Sequence, residues 1–466
     1  HYRTTNPLRG FQQYQAPIHI LQRLFHGMKE TFVNGTVLTN CYVVLVCLLP
    51  LLGHAHDTAK ALQQLSLSDA KALMLAHSRE VQEARQAIIS AAGAVQSADT
   101  APNPTLSLQS ININPKQGFG SGNITQKNID STIGINQLFE RGNKRALRTE
   151  TAKHLYSASQ ADLDGLLRQL SFNVSSAYFA LSGAQETLRT AQENAYLAEA
   201  ILVAAHKRKA QGDLSGADVE RVRLDALRAR NDAEQAQIGL DRARIVLARL
   251  LVIDANAPLV AVDAWPTWEQ SEPEMSTVAM NDLIDAQPVV KAAQLRFNAA
   301  QTFAQLVHAQ RTRDVSIGVQ YEHYPASQVA NSAGTGNSFG VSVQWPLFIN
   351  NYFDGDIKSA EATQEAARAE LERVRESIAS QFRLAQRELN AAAAQMLRYQ
   401  TKLLEAARKS ADASEFAFKN GAIPVIDLLD ARRAYRGVQI EAIAARVNFA
   451  TTLAAWRTIT LKDAIQ

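Results

Sequence analysis

Two aspartates stand at matching places in the chain. Asp218 follows Gly212 by six residues, and Asp427 follows Gly421 by six, each just past a turn between helical stretches. A carboxylate so placed can cap the helix that begins there, or present charge to a passing cation. A second charged group, Glu140, Arg141, Lys144 and Arg145, sits where a strand-like run gives way to helix. It suits interfacial anchoring and capping of that helix, with metal repulsion or headgroup binding as the alternative use. The imidazoles offer less. His77, His154, His206, His308 and His323 are scattered, with no pair spaced for one helix face. GFGSG, beginning at Gly118, lies between two strand-like runs and lacks a following Lys-Ser/Thr, so it reads as a surface loop rather than a phosphate cradle. No Ser/His/Asp set and no carboxylate pair has a catalytic context. The expectation is a chain that is not an enzyme, with no metal site of its own and no cofactor.

The elements that position these residues show in the periodicity. In SFGVSVQWPLF, Phe339, Val341, Val343 and Trp345 alternate with Gly340, Ser342, Gln344 and Pro346. In VSIGVQYEHY, Val315, Ile317, Val319 and Tyr321 alternate with Ser316, Gly318, Gln320 and Glu322. Period two with one apolar face predicts strands. An offset of 209 residues carries Leu347-Phe348 onto Leu138-Phe139, Gly421 onto Gly212 and Asp427 onto Asp218. The chain is therefore an internal duplication. The first copies of the strands are TLSLQSININ, Thr105 to Asn114, and STIGINQLF, Ser131 to Phe139, whose face matches only after a one-residue slip.

Each half reads helix, strand, loop, strand, long helix, turn, helix. The first helix is expected from Ser66 to about Ala101, capped by Ser68. A long helix from about Ala146 to Ala210 carries Leu163, Leu167, Leu170, Val174, Ala177, Leu181, Ala184, Leu188, Ala191, Ala195, Ala198, Leu202 and Ala205 at alternating spacings of four and three. That is a heptad seam. A second long helix, about Gly355 to Lys419, carries Leu371, Val374, Ile378, Phe382, Ala385, Leu389, Ala392, Met396, Tyr399 and Leu403. Shorter helices, from about Ala217 to Leu251 and about Asp282 to Thr312, together match one long rod in length. Stacked end to end, they can lie beside it. The halves span residues 65–252 and 281–461, joined by a linker at 253–280 that holds three prolines, Trp265 and Trp268.

The chain begins differently. Residues 1–27 read as a disordered upstream extension. Residues 28–55 carry Met28-Lys29, an apolar run from Cys41 to Leu52 and small residues before a cut after Ala55, the layout of a secretory signal peptide. The run is shorter than the roughly 20 residues of a spanning helix, and no lipobox precedes either cysteine. Both cysteines of the chain, Cys41 and Cys47, fall in the removed segment, which leaves no disulfide framework or thiol site. A composition of 46% hydrophobic and 20% charged residues with net charge +3 is that of an ordinary folded chain and gives no basis for nucleic-acid binding.

Four strands with an apolar outer face cannot close alone, since small barrels need about eight. Only helices and closed barrels cross a membrane, and hydropathy is blind to alternating strands. Three copies would supply enough strands to surround an aqueous lumen, lined by the polar face and met by lipid on the other. In such a homotrimer, Asp218 and Asp427 would recur as carboxylate rings, a candidate gate.

The signal peptide, the duplicated unit, LF before the long helix, and NGAIPVIDLLDARRAY from Asn420 to Tyr435 resemble the TolC-like outer-membrane factor family over about Leu65 to Thr460. QLFERGNKRALR, Gln137 to Arg148, further resembles its CzcC-type heavy-metal efflux branch, with Asn143 where that branch usually has a second Gly. The resemblance implies a mainly α fold with a small β part: a trimeric outer-membrane β-barrel, four strands per chain, continued by a periplasmic α-helical barrel of coiled-coil helices. It implies a passive duct for substrates handed over by a periplasmic adaptor and an inner-membrane resistance–nodulation–division pump, heavy-metal cations being the expected cargo and multidrug efflux or type I protein secretion the alternative. It also makes Gly212, Leu214, Ser215, Gly421, Ile423, Pro424 and Val425 candidate tips for an adaptor to grip. Fractionation and N-terminal sequencing should find the mature protein in the outer membrane, beginning near His56; a mature chain that keeps Cys41 in the inner membrane would refute the signal reading.

Overall fold

The structure, a computed structural model, describes residues 64–111, 113, 123, 129–268, 277–324 and 336–460. The expected signal peptide, the extension before it, both cysteines and nearly all of the loop at 115–128 lie outside these residues. The described residues all belong to one unit, Leu62–Gln466.

The first helical stretch is two helices, α1 (Leu67–His77) and α2 (Arg79–Ala98). The cap is Ser66, not Ser68: the Asp69 amide donates to Ser66 Oγ at 3.1 Å. The break comes at Ser78, whose backbone is extended and whose Oγ accepts from the Val81 amide, ending one helix and capping the next.

Strands β1 (Thr105–Ile111), β2 (Asp130–Phe139), β3 (Val315–Tyr324) and β4 (Gly336–Gln344) form one antiparallel sheet in the order β1-β2-β3-β4. The halves meet at its centre, where β2 pairs with β3 from Ser131↔His323 to Phe139↔Val315. The expected faces hold. Leu106, Ile135, Val319 and Val341 form one row across the sheet, and Leu108, Ile133, Tyr321 and Phe339 the next. Phe339 at 85% and Val341 at 76% are among the most exposed apolar residues. The opposite face carries Ser107, Gly134, Gln320 and Gly340 in one row, and Thr105, Asn136, Gly318 and Ser342 in another. Its glycines are needed because polar side chains lean over them: a Cβ on Gly318 would fall against Asn136 Oδ1 and Ser342 Oγ. Trp345, expected on the apolar face of β4, lies just past its end and is half exposed.

Helix α3 (Lys144–Ala210) has 67 residues and is about 100 Å long. It turns into α4 (Gly216–Leu251). In the second half, α5 (Thr277–Ala286) precedes α6 (Pro288–Ala309), so the single helix expected there is broken where Pro288 opens a new one. The second long helix is α7 (Asp354–Arg398), a π-helical turn at Tyr399–Leu403, and α8 (Leu404–Lys419); α9 (Val425–Ile459) returns.

The α3 seam is buried as its period requires. Val174 and Leu181 are inaccessible, and Leu163, Leu167, Ala184 and Leu188 pack around the same cluster with Leu240, Leu247 and Leu251 of α4. Ala198 packs on Ala226 and Ala229. Nearer its start, α3 lies against α6, with Thr151 on Thr302, Asp162 on Arg296, and Gly165 against Val289. Two shorter helices, one from each half, thus flank the long one. The second seam holds from Leu371 to Met396 and then slips, leaving Leu403 42% exposed. The π turn accommodates one extra residue. Before it, Phe382, Leu389 and Met396 match Val174, Leu181 and Leu188 at a spacing of 208; after it, Leu404 and Ala411 match Ala195 and Leu202 at 209.

The linker wraps the middle of the bundle. Trp265 stacks on Phe179 at 6.2 Å, and Trp268 sits edge-on to Phe449 at 6.0 Å, so it touches both halves. Tyr178 knots it down: its hydroxyl donates to Leu65 O at 3.0 Å and accepts from the Val262 and Asp263 amides at 3.2 and 3.0 Å. Burial pushes this phenol above its ordinary range. Its contribution is therefore complete below the ordinary tyrosine pKa and is lost as pH rises through the folded-state value. Tyr178→Phe strands the Asp263 amide, while the Val262 amide and Leu65 O keep their bond to each other at 3.3 Å, and should cost about 1–3 kcal/mol, read as a lower melting temperature and a loss of the wild type's alkaline unfolding step.

Candidate functional site

The two helix–helix turns lie side by side at one end of the long helices. Each begins with a left-handed glycine, Gly212 at φ 85° and Gly421 at φ 72°. Each is closed by an amide bonding back five residues, Asp213 to Arg208 O at 2.9 Å and Ala422 to Ala417 O at 2.8 Å. Neither glycine's missing Cβ would meet a neighbour, so backbone conformation alone requires glycine there. Val219, Val222, Val425, Leu429 and Ala205 form one apolar cluster beneath both turns, with Leu214 and Phe418 packed against it. The Arg208 guanidinium lies over the Phe418 ring at 4.8 Å.

This packing separates the expected tip residues. Gly212, Ser215, Gly421 and Pro424 are exposed, while Leu214 and Ile423 are half-buried. Val425 is 3% exposed and holds the turns together rather than presenting itself to a partner. Ser215 caps α4, with its Oγ accepting from the Asp218 amide, and donates to Asp218 Oδ2 at 2.7 Å.

The two aspartates are not equivalent. Asp218 is paired with Arg221 at 2.8 Å. Asp427 is exposed, with no hydrogen bond or ion pair to its carboxylate among the described residues. The position equivalent to Arg221 in the second half is Asp430, which pairs with Arg433 at 3.2 Å. A ring built from these residues would therefore carry its bare charge on Asp427.

At the far end of α3 the charge cluster is a set of tethers. Lys144 Nζ bonds both Asp314 oxygens at 2.9 Å and Thr312 O at 2.8 Å, tying the first half's helix to the second half's strand. The Arg141 amide donates to Asp314 Oδ1. Glu140 pairs with Arg148 at 2.7 Å, and Arg145 with Asp99 at 3.3 Å. Gly142 and Asn143 turn the chain in left-handed conformations, and a Cβ on Gly142 would strike Thr312.

Sequence reasoning missed the polar line that joins the halves above the turns. Asp225 on α4, 5% exposed, accepts from Arg433 Nε at 2.9 Å and from Arg436 Nη2 at 2.8 and 2.7 Å. Farther along α9, Gln439 meets Asn194 at 3.1 Å, and Arg446 meets Glu186 at 2.7 Å beneath the Trp265 ring. Arg432 pairs with Glu415 of α8. A cleft of about 730 Å³ opens between α3, α4 and α9 beside Asp225. The signal was present: LDAL in one half stands where RAYR stands in the other, so opposite charges occupy neighbouring repeat positions. Among the described residues, no three His, Cys, Asp or Glu side chains converge to hold a metal, and no helix is long and apolar enough to cross a membrane.

A duplicated unit with a two-faced sheet at one end and paired turns on long helices at the other defines a membrane channel subunit of the strand-and-rod type. The chain belongs to the outer membrane efflux protein family, whose model matches residues 72–251 and 279–460. It is an outer-membrane efflux channel protein and not an enzyme. It is 25% identical over 314 residues to the cobalt-zinc-cadmium resistance protein CzcC of Cupriavidus metallidurans, covering 65% of this chain and 70% of that protein. The outer-membrane channel OprN superposes with a TM-score of 0.71 at 20% identity, covering 84% of this chain and 89% of OprN. The outer membrane protein VceC of Vibrio cholerae gives 0.71 at 16% identity, covering 84% and 95%.

Asp225 tests the join between the halves. Asp225→Asn leaves two arginines without their shared anion and should lower stability by about 2–4 kcal/mol, toward the low side because Arg433 is partly exposed. Thermal unfolding checks this, and adding Arg433→Gln and Arg436→Gln in the same chain should recover part of the loss.

Proposed function

We propose that three copies of this chain close a single barrel in the outer membrane, continued by a helical barrel in the periplasm, and serve as the passive exit duct of a tripartite efflux system. The observation that carries this reading is the sheet. Among the described residues strands β1 and β4 have no partner along their outer edges, and a whole face exposes Leu106, Leu108, Val341 and Phe339. Open apolar edges are unstable in water, and in lipid only closure satisfies them. With four strands per chain, three copies supply twelve, and the glycine-rich polar face lines the lumen.

In this reading the partners are a periplasmic adaptor, which grips the exposed turn residues Gly212, Ser215, Gly421 and Pro424 with Leu214 and Ile423 at their flanks, and an inner-membrane pump of the resistance–nodulation–division class. The cargo is heavy-metal cations. Support for that comes from QLFERGNKRALR and from the relative named for cobalt, zinc and cadmium resistance. Selectivity for the metal resides in the pump, and the duct contributes a charged constriction at Asp427.

Reconstituted protein should conduct in planar bilayers. Asp427→Asn should weaken cation selectivity, read as a shifted reversal potential in a salt gradient. Asp218→Asn should instead act mainly through stability, by about 0.3–1 kcal/mol for the lost first-turn charge and its Arg221 pair, since the Ser215 cap remains. No conductance from a folded protein sinks the channel reading, and unaltered selectivity removes Asp427 from the gate. Cells lacking the protein should become sensitive to zinc, cobalt or cadmium; sensitivity to drugs alone, or loss of a secreted protein, would reassign the cargo.

A further inference from the structure

The cleft beside Asp225 has the size and make-up of a small-molecule site. It runs along α4 from Asp225 to Gly239, about 20 Å. Its volume of about 730 Å³ is that of clefts which enclose a drug-sized ligand. Ala184 and Ala191 of α3, Ala229 and Ala236 of α4, and Ile440 of α9 give it an apolar lining. Asn194, Arg228, Asp232, Gln235, Arg433 and Arg436 bring polar groups to the same space. Two glycines keep it open. Gly239 lies inside α4 and Gly437 inside α9, and a Cβ on either would meet nothing within 4 Å. Glycine weakens a helix interior relative to alanine, and no close approach calls for it here. Gly183 and Gly165 differ, since each has a valine packed against it. What the two missing side chains leave is room.

The bonding in the cleft selects the sign of a ligand. Asp225 is satisfied by Arg433 and Arg436, and Arg433 holds Asp430 besides. Arg436 gives only its Nη2 to Asp225, so its Nε and Nη1 make no hydrogen bond among the described residues. Arg228, one turn along α4 from Asp225, makes no hydrogen bond or ion pair among them. Asp232 is equally unbonded and is exposed. A cation entering the cleft would have two incompletely bonded guanidiniums against one free carboxylate. An anion would have those two guanidiniums as charge-assisted donors.

We propose that this cleft binds a small amphipathic organic anion. Its carboxylate meets Arg436 and Arg228, and its apolar body lies on the alanines in the room beside Gly239 and Gly437. Bound there, it bridges α4 of the first half and α9 of the second, and braces the join that Asp225 makes above the turns. The cleft begins at Ala184, about 60 Å along α3 from the start of that helix at Lys144 beside the sheet. The ligand is therefore a soluble anion and not a lipid of the membrane that the apolar face of the sheet meets.

Fluorescence titration tests the proposal, with the whole protein in lipid nanodiscs and empty discs as the blank. Dansylglycine carries a carboxylate on an aromatic body, and dansylamide has the same body without the charge. Dansylglycine should bind the wild type in a single saturable phase, and the melting temperature should rise with its concentration. Dansylamide should bind at least about tenfold more weakly, and dansylglycine should lose a similar factor on Arg228→Gln. Gly239→Leu with Gly437→Leu should abolish saturable binding. The melting temperature of that unliganded variant should not fall, because leucine favours helix and the added side chains enter open space. A signal no greater than that of empty discs overturns the proposal. So does unchanged binding in the double-leucine variant, which would place the probe elsewhere, and so does equal binding of the two probes. Should the double-leucine variant unfold, the dansylamide and Arg228→Gln comparisons still decide.

Discussion

A 67-residue helix with a continuous apolar seam needs cover along its whole length, and the helix that returns beside it, α4, has only 36 residues. This mismatch organises the molecule. The uncovered part of α3 is filled by α6 from the other half, where Thr151 meets Thr302 and Gly165 meets Val289. The halves cannot then fold as separate domains. The second half supplies what the first half's long helix lacks, while α7 packs on α5, α6 and α9 of its own half, and the β2–β3 ladder continues the join between halves into the sheet. The linker crosses the middle because it must return the chain to where the second half begins, and the Tyr178 hydroxyl satisfies three of its and its neighbour's backbone groups there.

Two near-copies packed side by side face a problem of identity, since apolar seams with the same period are interchangeable. Charge resolves it. Asp225 with Arg433 and Arg436, Glu186 with Arg446, and Lys144 with Asp314 each join the first half to the second. A buried ion pair adds little net stability over a well-packed apolar contact, but a mispaired one is expensive. These contacts therefore act on register more than on overall stability. Their absence at the corresponding positions of the other half, where Leu224, Leu227 and Ala434 stand, marks those surfaces as chemically different despite common ancestry.

The sheet answers a different solvent. Its outward rows place Phe339, Val341, Leu106 and Leu108 where a water-soluble protein would place polar residues, while its inner face alternates glycine with Asn, Gln and Ser. The crowding of Asn136 and Ser342 over Gly318 shows that the polar face is the tight one. The turn end is built for water, with exposed glycines and charges over a small apolar cluster. The two ends of one rod thus suit two environments, as the outer-membrane efflux protein family requires.

Much of this was legible in the residues alone. Period two gave the four strands and their faces, period 3.5 gave the α3 seam, and a constant spacing gave the duplication. These are local properties: a side chain's direction follows from its own backbone, whatever it later meets. Where competing local choices were close, sequence reading erred, as with Ser66 over Ser68 as cap and the break at Ser78. What only the tertiary structure decided is what each face meets. It brought Asp225 to arginines more than 200 residues away, buried Val425 between the turns, and left Asp427 bare while Asp218 found Arg221. It also placed the π turn that returns the slipped repeat to register. Periodicity encodes orientation, but contact partners depend on how two distant segments come to lie side by side, and that is set by packing the whole chain at once.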